Sequence, residues 1–171
     1  MSISMYQASA PVFIRMLTNL SAILDKAQAH ADAKKFDSAN YLGARLAPDM
    51  LPFTKQVQIA CDAAKGAMAR LAGVGIPQHP DTEASIAELK ARIATVIDYV
   101  KSFKPEQIDG TETKEIIIKL GPKQDRILTF TGLSFLQGFA IGNLYFHVTT
   151  AYALLRHMGV EVGKTDFLGA P

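Results

Sequence analysis

Cysteine is nearly absent from these 171 residues, and tryptophan is wholly so. The lone thiol, Cys61, excludes an intrachain disulfide, so no disulfide framework holds the fold. Charge of one sign is lacking as well. Eighteen Lys and Arg stand against 16 Asp and Glu, a formal net charge of +2, without a block of like charges. That balance argues against nucleic acid or an anionic membrane surface as a partner, because both are held by a basic patch. A secretory leader is not expected: the first charge after Met1 is Arg15, and it interrupts the apolar run Val12-Phe13-Ile14. With one thiol and no export signal, the reducing cytoplasm is the expected compartment. Missing too are a Ser-His-Asp ordering, a catalytic carboxylate pair and Cys-x-x-Cys. Gly163-Lys164-Thr165 resembles the end of a phosphate loop, but only three residues separate Gly159 from Gly163 and the segment follows a helix.

What is present is apolar periodicity. Apolar residues make up 49% of the chain, and a chain of this length buries roughly two thirds of its unfolded surface without metal or disulfide. One domain over residues 1–171 is expected. Phe13, Met16, Leu17, Leu20, Ile23, Leu24 and Ala27 recur at three-and-four spacing, which predicts a long amphipathic helix that Pro11 either begins or kinks. A short helix is possible around Asp37 to Leu46. A second long helix carries Phe53, Val57, Ala60, Ala64, Met68 and Leu71, with Pro52 in its first turn and Asp49 as its N-cap. A third, capped by Asp81 and ended by Pro105, turns Ile86, Leu89, Ile93, Val96, Ile97, Val100 and Phe103 inward, and Glu83, Glu88, Lys90, Arg92 and Asp98 outward. The β-branched runs 115–120 and 126–130 flank Gly121-Pro122-Lys123-Gln124-Asp125 and predict a hairpin. A hairpin alone is marginal in water, so it must lie on the helices. Gly132 to His157 form the fourth long helix, stopped by Gly159, with an irregular tail beyond. The fold class is all-α, an antiparallel four-helix bundle with a small β-hairpin before the last helix.

Between Arg126 and Arg156 no Asp, Glu, Lys or Arg occurs. That length could span a bilayer, but the stretch opens on a strand, and Gln137, Asn143 and His147 would sit uncompensated in hydrocarbon. A helix apolar on nearly every face needs cover on more than one side. A second copy of the chain would supply it, which predicts a homodimer; the hairpin and tail could also supply it within one chain.

Asn143 and His147 lie one turn apart on one face of the last helix. Asp49, Phe53, Gln56 and Ala60 form a stripe on the second. If the two helices meet face to face, Asp49, Asn143 and His147 converge on a polar pocket whose imidazole, amide and carboxylate suit a divalent ion. The opposing reading is a buried histidine satisfied by a neighbouring helix, with Asp49 serving as a cap and Gln56 as an interior partner. Cys61 reads as a packed thiol, and His30, His79 and His157 as structural or surface histidines. Tyr145, Phe146 and Tyr152 could line an apolar cavity for a small molecule.

The strings Met5-Tyr6-Gln7-Ala8-Ser9, Arg45-Leu46-Ala47-Pro48-Asp49-Met50, Gln56-Val57-Gln58-Ile59-Ala60-Cys61-Asp62, Phe146-His147-Val148-Thr149-Thr150-Ala151-Tyr152 and Gly163-Lys164-Thr165-Asp166-Phe167-Leu168-Gly169 resemble a bacterial family of unknown function within the DinB-like superfamily. The resemblance covers essentially the whole chain. It implies an up-down-down-up bundle, commonly dimeric, and in the wider group a metal held by one His of the second helix and a His-x-x-x-His pair on the last. His147 matches the second His of that pair, Asn143 stands at the position of the first, and Asp49 lies near the second-helix ligand. The implied cofactor is a divalent metal such as zinc, nickel, manganese or iron, and the implied chemistry is thiol-transferase-like or hydrolytic. The alternative is a non-enzymatic dimeric or small-ligand-binding protein with a vestigial metal site.

Overall fold

The structure is a computed structural model that describes residues 3–121, 123 and 125–169. Four long helical segments form its frame: α1 (Ala10–Lys34), α2 (Phe53–Ala72), α3 (Ile86–Lys101) and a last helix built from α5 (Gly132–Phe135), a π-helical turn (Leu136–Ala140) and α6 (Ile141–His157). A short α4 (Pro105–Ile108) and the hairpin β1 (Glu115–Leu120) with β2 (Arg126–Thr131) precede the last helix, and α7 (Lys164–Leu168) follows it. Around the bundle the order is α1, α3, α2, α6, so consecutive long helices are not always neighbours.

Cross-helix contacts give the directions. Gln56 meets His147 while Ile59 and Ala63 share a cavity with Asn143, so α6 runs antiparallel to α2. Asp81 and Glu83 come back to Lys55 and Gln58 near the start of α2, and Arg92 reaches Asp62 further on, so α3 runs parallel to α2. The connection from Gly73 to Ser85 must therefore retrace α2. Tyr6, just before α1, donates its N–H to Asp109 beyond α3, and Asp25 late in α1 pairs with Lys90 early in α3, so α1 runs antiparallel to α3 and the directions are up, down, down, up.

Each helix boundary has a local cause. Pro11 sits in the first turn of α1, where a missing N–H costs nothing, so it begins the helix and does not kink it. Between α1 and α2 only a 3-10 turn forms, Ser38–Tyr41, capped by Asp37, which accepts from the Ala39 N–H at 2.9 Å. Pro52 is the extended residue before α2, and no side chain caps that helix. The expected Asp49 cap is thus incorrect: Asp49 is exposed in the preceding loop. Ser85 caps α3 by accepting from the Glu88 N–H, whereas Asp81, expected there, is held by Lys55 and Arg92 instead. Gly159, at φ 91°, ends the last helix in a conformation that a side chain would strain. The tail, expected to be irregular, contains α7, pinned by Asn19 donating to the Phe167 carbonyl and by the Lys26–Asp166 ion pair.

The core lies between the helices, with Phe13, Leu17 and Leu20 of α1, Val57 and Met68 of α2, Ile93 and Val96 of α3, and Leu144, Val148 and Leu155 of α6 all enclosed. Each such side chain contributes roughly 1.5–3 kcal/mol by leaving water. The hairpin pairs Glu115 with Thr131 through Leu120 with Arg126 and turns Ile116 and Ile118 inward, which docks it on the bundle. Its exit is fixed by backbone contact. Gly132 presses against the Thr111 carbonyl, where a Cβ would lie far inside van der Waals distance, and the Leu133 N–H donates to Glu112 O at 2.9 Å. No described helix is long and apolar enough to cross a membrane. Gly132→Ala is expected to destabilise the fold by about 1–3 kcal/mol in chemical unfolding, the usual range for forcing an extra carbon into packed structure; Gly142→Ala, which meets open space, is expected to be neutral or stabilising.

Candidate functional site

His147 is 8% exposed on α6 and faces α2. Its Nδ1 lies 2.7 Å from Gln56 Oε1, and Gln56 Nε2 donates to the Leu51 carbonyl at 2.9 Å. These two bonds decide the tautomer. Because the backbone carbonyl can only accept, the Gln56 amide must point its NH2 at Leu51 and its oxygen at the imidazole. Nδ1 therefore carries the proton and donates it, leaving the Nε2 lone pair without that proton. Burial also holds the His147 pKa below its usual 6.5, since an imidazolium in a poorly solvated place costs free energy. The Phe146 ring stands edge-on to the imidazole at 5.1 Å and shields one side. A neutral imidazole held this way can accept a hydrogen bond, take a proton or ligate a cation at Nε2.

The companions expected at this point are placed differently from one another. Asn143, one turn earlier on α6, is half-buried and lines a cavity of about 190 Å³ between α2, β1 and the π-helical turn. Its neighbours there include Ile59, Asp62, Arg70 and Phe139; His147 is not among the lining residues. Asp49 is exposed, and among the described residues its carboxylate has no hydrogen-bond or ion-pair partner. The same loop is tied down instead by Arg45, which donates to the Met50 carbonyl. Gln56, expected as an interior hydrogen-bond partner, serves His147 itself. Among the described residues, no group of three His, Cys, Asp or Glu side chains is arranged to hold a metal.

Cys61 is fully buried, and burial pushes its thiol up to about 12. It is a packing residue, because a thiolate would be needed for nucleophilic work. His30 bonds the Tyr41 hydroxyl at 2.6 Å, and His157 lies exposed in the last turn of α6. Tyr145 and Tyr152 pack on Phe167 of the tail, leaving Phe146 57% exposed, so the three expected aromatic rings do not enclose one cavity.

Among the described residues, the largest polar cluster lies elsewhere. Arg92, expected on the outer face of α3, is 5% exposed and pairs with Asp62 at 3.0 Å, Glu83 at 2.9 Å and Asp81 at 3.0 Å. Lys65 adds a bond to Asp62 at 2.9 Å, and Gln58 donates to Glu83 at 2.7 Å. Against the opposing effect of burial, the Arg92 guanidinium with Gln58 holds the Glu83 carboxyl below its ordinary pKa, and Lys55, with a smaller effect of Arg92, does the same for Asp81. A signal for this was available: Arg92 falls three residues after Leu89 and four before Val96, on the inward stripe. Glu83 precedes the helix and reaches the cluster from the returning connection.

Residues 5–168 match the model of the family described as "Domain of unknown function (DUF1993)". The chain is also similar to the crystal structure of a DinB family member protein from Shewanella denitrificans, with 47% identity and a TM-score of 0.88 over 97% of this chain and 92% of that one. No curated protein matches it.

Replacing Gln56 by Leu strands the His147 Nδ1–H in the interior, at an expected cost of about 1–3 kcal/mol in equilibrium unfolding. The depressed His147 pKa also sets a pH dependence. The unfolded chain binds a proton that the folded one resists, so this contribution is complete above pH 6.5 and is lost as pH falls from there through the folded-state pKa. Unfolding curves from pH 7.5 to 5 should show stability declining with acid, and His147→Phe should flatten that decline.

Proposed function

The chain belongs to the DUF1993 family, and from that membership and its DinB-like bundle we propose a small-ligand-binding role centred on the neutral imidazole of His147. The observation that carries it is the relay from the Leu51 carbonyl through Gln56 to His147. Such a relay orients an imidazole and keeps one lone pair for an incoming hydrogen-bond donor. The interaction is directional and cheap to preserve, because nothing needs to reorganise when the ligand arrives.

The DinB-like resemblance also raises a resident divalent ion, zinc, nickel, manganese or iron, on Asp49, Asn143 and His147. This donor set fits poorly. It offers one imidazole nitrogen, an amide oxygen that binds such ions weakly, and an exposed carboxylate from a loop. Thiol-transferase-like or hydrolytic chemistry through an ion is therefore not part of this proposal, and the metal position is read as vestigial.

The dimer reading has its own support. On the outer side of the last helix Phe146, Tyr145 and Leu133 are exposed, and Gly138 and Gly142 stand beside open space. An uncharged helix face with small residues beside exposed rings suits close approach by a second copy.

Phenol, an apolar hydroxyl donor, is the probe. It should shift the His147 imidazole resonances saturably, and His147→Phe should abolish saturable binding. Protein purified without chelator should hold far less than one equivalent of metal, and added zinc, nickel or manganese should leave its Tm unchanged. Stoichiometric metal that is lost in His147→Ala would contradict the reading. For the dimer, Phe146→Glu is expected to give monomers in sedimentation; a parent protein that already sediments as a monomer refutes it.

A further inference from the structure

Arg70 ends α2 without an ion-pair or hydrogen-bond partner among the described residues, although it is half-buried. Its guanidinium folds back over Gly66: a Cβ built there would collide with Nη1, so the glycine makes the seat in which the group lies. Burial lowers the Arg70 pKa, the expected result for a cation that has shed water without gaining a counter-charge. Every other well-buried cation in α2 and α3 is matched. Lys65 has Asp62, and Arg92 has Asp62, Asp81 and Glu83. Arg70 is the exception.

Arg70 borders two cavities, one of about 230 Å³ on the Gly66 side with Ile76 and Pro77, and one of about 190 Å³ that Asn143 also lines. Only the second is walled mostly by apolar side chains, Ile59, Ala63, Ile118, Leu120, Phe135 and Phe139. The π-helical turn Leu136–Ala140 contributes Phe139 and Ala140 to it. One extra residue in a helical turn swings the following side chains round the axis, and such turns concentrate at functional places. At the rim stands Lys119, and Asp62 also borders the space with its charge already taken by Arg92 and Lys65.

We propose that this cavity binds a small monocarboxylate with an apolar body, the carboxylate paired with the Arg70 guanidinium and oriented by the Asn143 amide. Guanidinium and carboxylate match as a planar fork and two oxygens. The apolar walls accept the body. A dianion is disfavoured, because one guanidinium balances one negative charge and the nearby Asp62 carboxylate repels a second. The site is separate from the Nε2 position of His147, which lies one turn further along α6 and does not line the cavity.

Calorimetric titration of the intact protein with benzoate, benzamide and inorganic phosphate tests the assignment. Benzoate is expected to bind saturably and at least about tenfold more tightly than the other two, since a carboxylate and an apolar body are both required. Arg70→Gln should weaken benzoate about tenfold or more. Gly66→Ala, which keeps the charge and fills the guanidinium's seat, should weaken it as well, while His147→Phe leaves it unchanged. Equal affinity for benzoate and benzamide, phosphate binding as tight as benzoate, or undiminished benzoate affinity in Arg70→Gln would each overturn the proposal. Should Arg70→Gln fail to fold, undiminished affinity in Gly66→Ala overturns it on its own. Loss of benzoate binding in His147→Phe would overturn the separation of the two sites.

Discussion

The interior polar side chains of α2 are the constraint on which the rest of the molecule depends. Gln56, Gln58 and Lys65 are buried in that helix among Val57, Ala60, Cys61 and Ala64, and a polar group taken out of water must find a partner or cost several kcal/mol. The two glutamines find theirs in other elements, and Lys65 finds its partner within α2, in an aspartate that also reaches α3. Gln56 takes His147 of α6, Gln58 takes Glu83 of the returning connection, and Asp62 of α2 ties Lys65 of the same helix to Arg92 of α3. Apolar packing would tolerate several helix registers; these pairings tolerate one.

The two faces of α2 are thereby given different work. Toward α3 the helix carries a charge network that matches three carboxylates to buried cations and holds the Gly73–Ser85 connection in place as it returns along the bundle. Breaking one partner of such a network strands a charge, so its effect is to select a geometry more than to add net stability. Toward α6 the contact is neutral, a hydrogen-bond relay that orients one imidazole. The hairpin closes the gap between these elements at the other end of α2, and the π-helical turn is where the last helix adjusts its phase to fit beside it.

Much of the frame was legible in the sequence because periodicity reports burial directly. The inward stripe of α1, from Phe13 to Ala27, and the hairpin runs 115–120 and 126–130 coincide with the observed elements. Boundaries were less so. Asp49 and Asp81 both have the residue type of an N-cap, but capping depends on whether the backbone turns at that point, and Pro52 and Ser85 occupy the turning positions instead. Arg92 has the residue type of a solvent-facing position, although its spacing places it inside. Long-range partners decide such cases, and spacing along one helix does not contain them.

The candidate site was legible only in part. His147 stood out as the imidazole of an uncharged helix, and Gln56 as an amide on the facing stripe, yet their bond and its direction depend on the Leu51 carbonyl, a backbone group with no sequence signature. The same holds for Arg70, whose seat exists because residue 66 lacks a side chain. The account stands most directly on the protonation of His147. Long-range nitrogen-proton correlation of the imidazole at pH 7 should show a neutral ring protonated at Nδ1, with Nε2 bare and a pKa under 6.5. A ring protonated at Nε2, or an imidazolium at that pH, would contradict it.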